Sequence, residues 1–209
     1  VNKSIYFTSD LHIGHEKSIE YDNRPFRNLL HMHETLINNF NSTVGMNDTV
    51  YFLGDVGFGG PETQEVLRSL NGSKILIRGN HDKKGNEFWH SCGFTSVMNG
   101  AFLRMCGEMI TLSHCPLPGI FREDVTGMKG AVEGENWHGE RKHTGMYTMP
   151  DFGQYHCHGH IHSGPHRKDK KTILGRQMDV GVVAHKYRPV GIKEINRFID
   201  LNRKLEAGA

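Results

Sequence analysis

The sequence is poor in cysteine, and what it has is unpaired. Its 209 residues include four, Cys92, Cys106, Cys115 and Cys157. None stands in a Cys-x-x-Cys spacing, which excludes a zinc ribbon or a thioredoxin-type motif. All four are expected to be reduced thiols acting as small strand or loop residues, including Cys115 and Cys157, which adjoin histidines of interest below. Long hydrophobic runs are also lacking: none approaches the ~20 residues of a membrane-crossing helix. Val1-Asn2-Lys3-Ser4 leads directly into an apolar segment without the hydrophobic stretch of a secretory leader. A cytoplasmic protein with no membrane partner is expected. Charge of one sign is scarce as well, since the net charge is +2, too little to announce nucleic-acid binding by itself. Internal repeats and linker-like stretches are absent. With 36% hydrophobic residues, the expectation is one domain over residues 1–209 with a core of its own. Histidine is the abundant type, 15 residues that cluster in loops rather than in a terminal tag.

Apolar patterning orders the chain. Residues 4–9 form a β-rich run that stops at Asp10. Leu29, Leu30, Met32, His33, Leu36, Ile37 and Phe40 recur at helical spacing and predict an amphipathic helix over 28–42. Residues 49–53 are a second strand, ending at Gly54-Asp55. Pro61, with Glu62 and Glu65, suits a helix start, and Asn71-Gly72 suits its end. Residues 74–78 are a third strand, running into Gly79-Asn80-His81-Asp82. This β-α-β-α-β order predicts a parallel sheet whose strand C-termini carry the ligand site. Residues 94–98, 101–105 and 108–113 read as strands with a tight turn at Cys106-Gly107, predicting a second sheet with more antiparallel pairing. Residues 154–157 and 176–183 add strands, and 193–205 a C-terminal helix. The stretch 116–152, rich in Gly, Met and charge, reads as a loop insertion long enough to cap a site.

The chemistry lies at the ends of the apolar runs. Phosphate esters are negatively charged and leave poorly, and two metal ions about 3.5–4 Å apart answer both difficulties. Such a centre needs a bridging carboxylate and a mixture of oxygen and nitrogen donors. Asp10 and His12, two apart at a strand end, can turn toward one metal, and Asp55 behind its glycine is the candidate bridge. Asn80 offers a neutral oxygen. His114 and His160 offer nitrogens to the second metal, and His162 returns to the first. Singly, each is more simply a turn or core residue; the order and placement of the set carry the inference.

Asp10-x-His12, Gly54-Asp55, Gly79-Asn80-His81-Asp82, His114 and Gly159-His160-x-His162 resemble, in order, the five signature blocks of the calcineurin-like metallophosphoesterase superfamily, over residues ~4–190. Asp10-Leu-His-Ile-Gly-His15 followed by Arg24-Pro25-Phe26 resembles its small bacterial and phage members. The resemblance implies a four-layer α/β/β/α sandwich, two mixed sheets flanked by helices. It implies one metal on Asp10, His12, Asp55 and His162, and another on Asp55, Asn80, His114 and His160. It places His81 off the metals, touching the phosphate or protonating the leaving oxygen, a role that suits imidazole. A metal-bridging hydroxide would attack phosphorus in line. Mn is the expected metal, with Fe, Zn, Ni or Co equally suited to the donor set. One departure stands out: protein Ser/Thr phosphatases of the superfamily carry an Asp three residues past the bridging Asp, where this chain has Phe58. Asp82 is then the nearest candidate partner for His81, or else a cap for its own turn.

The expected substrate is a small phosphoester, a nucleotide or related metabolite, given the insertion and the low net charge. The alternative is a nuclease or cyclic-nucleotide phosphodiesterase, for which the basic run Arg167-Lys168-Asp169-Lys170-Lys171 would be the track. A non-catalytic protein-binding scaffold is the remote alternative, against which the full donor set argues. Candidate substrate contacts are His15, Arg24 as a phosphate fork, and Trp137 with Arg141 and His143 in the insertion, suited to stacking on a base and holding a phosphate.

Overall fold

A computed structural model describes residues 3–117, 147–166 and 170–208. Along the chain they form β1 (Ile5–Thr8), α1 (Lys17–Tyr21), α2 (Leu29–Asn41), β2 (Thr49–Phe52), α3 (Pro61–Ser69), β3 (Ser73–Ile77), α4 (Asn86–Ser91), β4 (Phe94–Met98), β5 (Ala101–Met105), β6 (Glu108–Leu112), β7 (Tyr155–His158), β8 (Ile173–Leu174), β9 (Gln177–Asp179), β10 (Val190–Gly191) and α5 (Ile192–Ala207). Two mixed five-stranded sheets result, ordered β10-β1-β2-β3-β4 and β5-β6-β7-β9-β8.

Strands β1 to β4 run parallel, with β10 antiparallel at one edge. Parallel strands covered on both faces read as continuous apolar runs, and β2 and β3 do. Val50, Phe52 and Leu76 pack beneath the helices with Met32, Leu36 and Phe40 of α2, Val66 and Leu67 of α3 and Trp89 of α4. Phe7, Leu53 and Ile77 face the other way, into a core shared with Ile110, Leu112, Tyr155 and Cys157 of the second sheet and Ile195, Phe198 and Ile199 of α5. Helix α2 begins where the Asn28 side chain accepts the His31 N–H at 2.9 Å, and Pro61 occupies the first turn of α3 as expected.

The placement of β4 differs from the sequence-based expectation. It joins the first sheet, parallel to β3, because the short helix α4 carries the chain across and returns it in the same direction. Six residues of helix give too little periodicity to read. The second sheet holds the expected hairpin β5–β6, with Cys106 and Gly107 at φ of 55° and 76° in its turn, yet β6, β7 and β9 are mutually parallel. That direction sends the ends of β6 and β7 to one edge, delivering His114 and His160 together. A parallel bridge between Ser9 and Gly181 joins the chain after β1 to the chain after β9.

Phe40 is buried and stacks on Phe52 with ring centroids 5.7 Å apart, away from the strand ends that carry the candidate site. Phe40→Ala should cost ~3–5 kcal/mol of stability, and Phe40→Leu markedly less, read from denaturant midpoints. Equal losses for the two variants would deny the packing role.

Candidate metal centre

The donors expected from the sequence converge, and an unusual backbone brings them together. Asp10, His12, Asp55, His160 and His162 have φ of 58°, 53°, 52°, 69° and 49°. That left-handed region disfavours residues with a Cβ, and such strain gathers at functional sites. Asp10 and His12, like His160 and His162, are two apart. Turning both members of each pair out of the pleat is what lets both side chains join one cluster of donors. The glycines of the motifs answer close approach: at Gly54 (φ 87°) a Cβ would lie 2.5 Å from His114 Nδ1 and 2.6 Å from the Gly79 Cα.

Two donor groups form around one carboxylate. In the first, His12 Nε2 faces His162 Nε2 at 3.1 Å and Asp10 Oδ1 lies 3.4 Å from His162 Nε2. In the second, His114 Nε2 lies 3.0 Å from Asn80 Oδ1 and 3.2 Å from His160 Nδ1. Asp55 Oδ2 stands between them, 3.3 Å from His114 Nε2 and 3.9 Å from His12 Nε2. Asp10, His12 and His162, and separately Asp10, Asp55 and His114, have donor atoms close enough to share an ion. The pattern of partners fits a cation in each group. His114 Nδ1 is 2.8 Å from the Leu53 carbonyl and His162 Nδ1 2.8 Å from Asp22, so both rings carry a proton on Nδ1 and turn the Nε2 lone pair inward in the neutral form. Lone pairs aimed at other acceptors suit a cation between them.

Electrostatics follows the same division. Burial would raise the Asp55 carboxyl, but His114 and His12 hold it well below the usual carboxylate range. Burial would lower His114, yet Asp55 holds it up, to about 10. His162 is held up, to about 9, by Asp10 and Asp22 against its burial. His12 is pushed well down by burial and by His162. Cys115, buried beside His114 and His160 and within donor reach of both, has its thiol pushed up by burial and by Asp55.

His81 sits at the mouth, outside both groups. Its N–H donates to Asp55 Oδ1 at 2.9 Å and its Nε2 lies 3.9 Å from Asp55 Oδ2. Asp82 does not orient it. The buried Asp82 carboxylate accepts the N–H groups of Asp55, Gly79 and Val56 at 2.8, 2.8 and 3.1 Å, tying the loop after β2 to the loop after β3. Phe58 meets His81 instead, with ring centroids 5.4 Å apart, and also His15 at 4.5 Å. His15 in turn lies 6.3 Å from Tyr21. Phe58 and Tyr21 are 46% and 66% exposed, so a row of open rings leads away from the mouth.

The expectation for Arg24 is corrected. It is not a phosphate fork: only 4% exposed, it has its guanidinium donors on Asp22, Asp10 O and Leu11 O. Lys170 of the basic run is buried as well and donates to Ile161 O at 2.5 Å, which removes it from a surface track. Residues 167–169, Trp137, Arg141 and His143 lie outside the described residues. The sequence reading missed Asp22 altogether; its only signal was an Asp and an Arg two apart in a polar loop. No helix among the described residues is long and apolar enough to cross a membrane.

The Gene 66 protein of Mycobacterium phage L5 is 32% identical over 206 aligned residues, covering 86% of each chain. The uncharacterized protein MJ1445 of Methanocaldococcus jannaschii is 46% identical over 89 residues, 41% of this chain, and the match spans about half (51%) of that relative's length. Among solved structures, a protein of unknown function from Aquifex aeolicus, AQ665, shares the fold with a TM-score of 0.66 at 23% identity, over 94% of this chain and 99% of that one. The family model described as calcineurin-like phosphoesterase matches residues 3–164, from the start of β1 through the last histidine pair. With that match over most of its length, the chain belongs to the calcineurin-like phosphoesterase family.

Proposed function

We propose that the chain is a binuclear metal-dependent phosphoesterase acting on a small phosphoester, a nucleotide or related metabolite. The observation that carries this reading is Asp55 Oδ2 lying between two imidazole-containing donor groups, within 3.9 Å of His12 Nε2 and 3.3 Å of His114 Nε2. Two divalent cations held there supply a nucleophile from water at neutral pH and neutralise the phosphoryl oxygens. Asp10, His12, Asp55 and His162 would hold one, and Asp55, Asn80, His114 and His160 the other. The nitrogen and oxygen donors accept Mn, Fe, Zn, Ni or Co, with Mn the first choice to test.

The remaining work falls to the chain's own groups. His81 stands at the open side of Asp55 and gives the proton from Nε2 to the departing oxygen. The half-exposed ring of Phe58, tilted against His15, offers a wall for stacking beside that oxygen. Such a wall favours an aromatic leaving portion, and this supports a nucleotide over a purely aliphatic ester. The nuclease or cyclic-nucleotide phosphodiesterase reading stays second, because burial of Lys170 shortens the basic track it relied on.

The deciding experiment strips metal by chelation and restores Mn²⁺, comparing p-nitrophenyl phosphate with bis-p-nitrophenyl phosphate. Activity should vanish and return, with the monoester preferred. Diester preference would exchange the two readings, and hydrolysis indifferent to chelation would sink both. Asp55→Asn should reduce kcat by more than the ~100-fold typical of losing an outer partner of a ligand, and His81→Ala by ~10²–10⁴-fold with metal content intact. Metal lost from the His81 variant would make that residue a ligand. Phe58→Ala should raise KM for an aryl or nucleoside ester about 5-fold or more, the equivalent of ~1 kcal/mol of stacking, while leaving methyl phosphate nearly unchanged. Parallel changes for both substrates would remove Phe58 as a specificity element.

A further inference from the structure

The loop after β1 is gripped from both sides. Its N–H groups face the loop after β2: Asp10 N–H donates to Gly54 O at 3.1 Å, His12 N–H to Asp55 O at 3.0 Å and Ile13 N–H to Val56 O at 3.0 Å. Its carbonyls face Arg24. One guanidinium nitrogen, Nη2, donates to Asp10 O and the other, Nη1, to Leu11 O, each at 3.0 Å. Those are the two peptide groups that link Asp10 to His12. Both flanking residues hold left-handed φ values, a conformation that costs of order 1–3 kcal/mol per residue and persists only where neighbours enforce it.

The same guanidinium holds Asp22 through Nε at 3.1 Å and Nη2 at 2.9 Å. Asp22, 3% exposed, places both carboxylate oxygens 2.8 Å from His162 Nδ1. A carboxylate on the outer nitrogen of an imidazole fixes its tautomer and orientation and strengthens it as a donor. One buried ion pair therefore connects the backbone of Asp10 and His12 to the ring of His162, and these three residues form the first donor group. The second group has a support of its own in the Leu53 carbonyl, which holds His114; it shares Asp55 with the first group, and the Asp10 carboxylate accepts the His160 N–H.

We propose that Arg24 and Asp22 are positioning residues that lock the two loops of the first donor group together and so set the affinity of that metal position selectively. The inference rests on the two-metal reading above. It needs arginine at position 24, because only a planar fork reaches one carboxylate and two successive carbonyls at once; a lysine ammonium lacks that geometry.

The test uses the full chain, stripped and titrated with Mn²⁺, with metal per chain measured by elemental analysis and the Mn–Mn interaction by electron paramagnetic resonance. Wild type should take up two ions and give a spin-coupled signal. Asp22→Asn and Arg24→Lys should each weaken one binding step by ~10–100-fold, leave the other within about 2-fold, and replace the coupled signal with that of a single ion. Thermal melting without metal identifies an unfolded variant; should Arg24→Lys not fold, Asp22→Asn decides alone, since it keeps the shape of the side chain. Equal weakening of both steps, or none, in a folded variant would overturn the positioning role while leaving the two-metal reading in place. A wild-type chain that binds no Mn²⁺ would overturn both.

Discussion

The buried carboxylate of Asp55 is the constraint around which the strand ends are arranged. An isolated ionised carboxylate this far from water costs several kcal/mol, so its surroundings have to supply partners on every side. They do: one oxygen accepts the His81 N–H at 2.9 Å, and the other faces three imidazoles from three separate loops, those of His12, His81 and His114. The Asp55 backbone is fixed as well, its N–H by Asp82 and its carbonyl by the His12 N–H. Each of these contacts requires another loop to arrive at a definite height, and the parallel order of β1, β2 and β3 makes that possible by ending all three strands at one edge.

The second sheet meets the same requirement from the opposite side. Its parallel strands β6 and β7 bring His114 and the His160–His162 pair to the edge where the first sheet presents its loops. The sheets pack through an apolar core of Phe7, Leu53, Ile77, Ile110, Leu112 and Cys157. That core sets their separation, and the glycines of the motifs allow the loops above it to touch. An alanine at position 54 would drive its methyl into the His114 ring, whose Nδ1 sits 2.5 Å from the space a Cβ would occupy. The short sequence blocks are thus local solutions to one packing problem, which explains why each is uninformative alone.

This also explains what the sequence made legible. Strands β1, β2 and β3 are apolar on both faces, and helices α2 and α3 carry clear periodicity and start signals, so their patterns could be read directly. The candidate donors Asp10, His12, Asp55 and Asn80 were legible because they follow those strands within a few residues. Helix α4 spans only Asn86–Ser91, shorter than two helical turns, and without it β4 fell into the wrong sheet. Asp22 was invisible for a different reason. Its partner His162 lies 140 residues away, and nothing within the local segment signals a contact that only the docking of two sheets creates. Arg24 was misread by the same route: its chemistry suggested a phosphate, whereas the fold supplies two backbone carbonyls and a carboxylate.

Phe58 changes how His81, the acid of the proposed reaction, can be held. In protein Ser/Thr phosphatases of this superfamily an aspartate three residues past the bridging carboxylate orients the histidine; that position here carries a ring. A ring cannot fix an imidazole by hydrogen bonding, so restraint of His81 has to come from its backbone bond to Asp55 and from the edges of Phe58 and His12, whose centroids lie 5.4 and 5.6 Å from its own. Steric restraint of this kind tolerates rotation of the ring in a way a carboxylate partner would not, and the site gives up orientation that charge would enforce. In exchange it gains an apolar surface beside the position a leaving group would take. A half-exposed aromatic ring in contact with water is unfavourable in the free protein, and that surface is covered when an aromatic group lies against it. On the reading proposed above, the ring that stands where those phosphatases carry the acid's partner would place a binding contribution next to the bond to be broken, where it could select the substrate by its organic half.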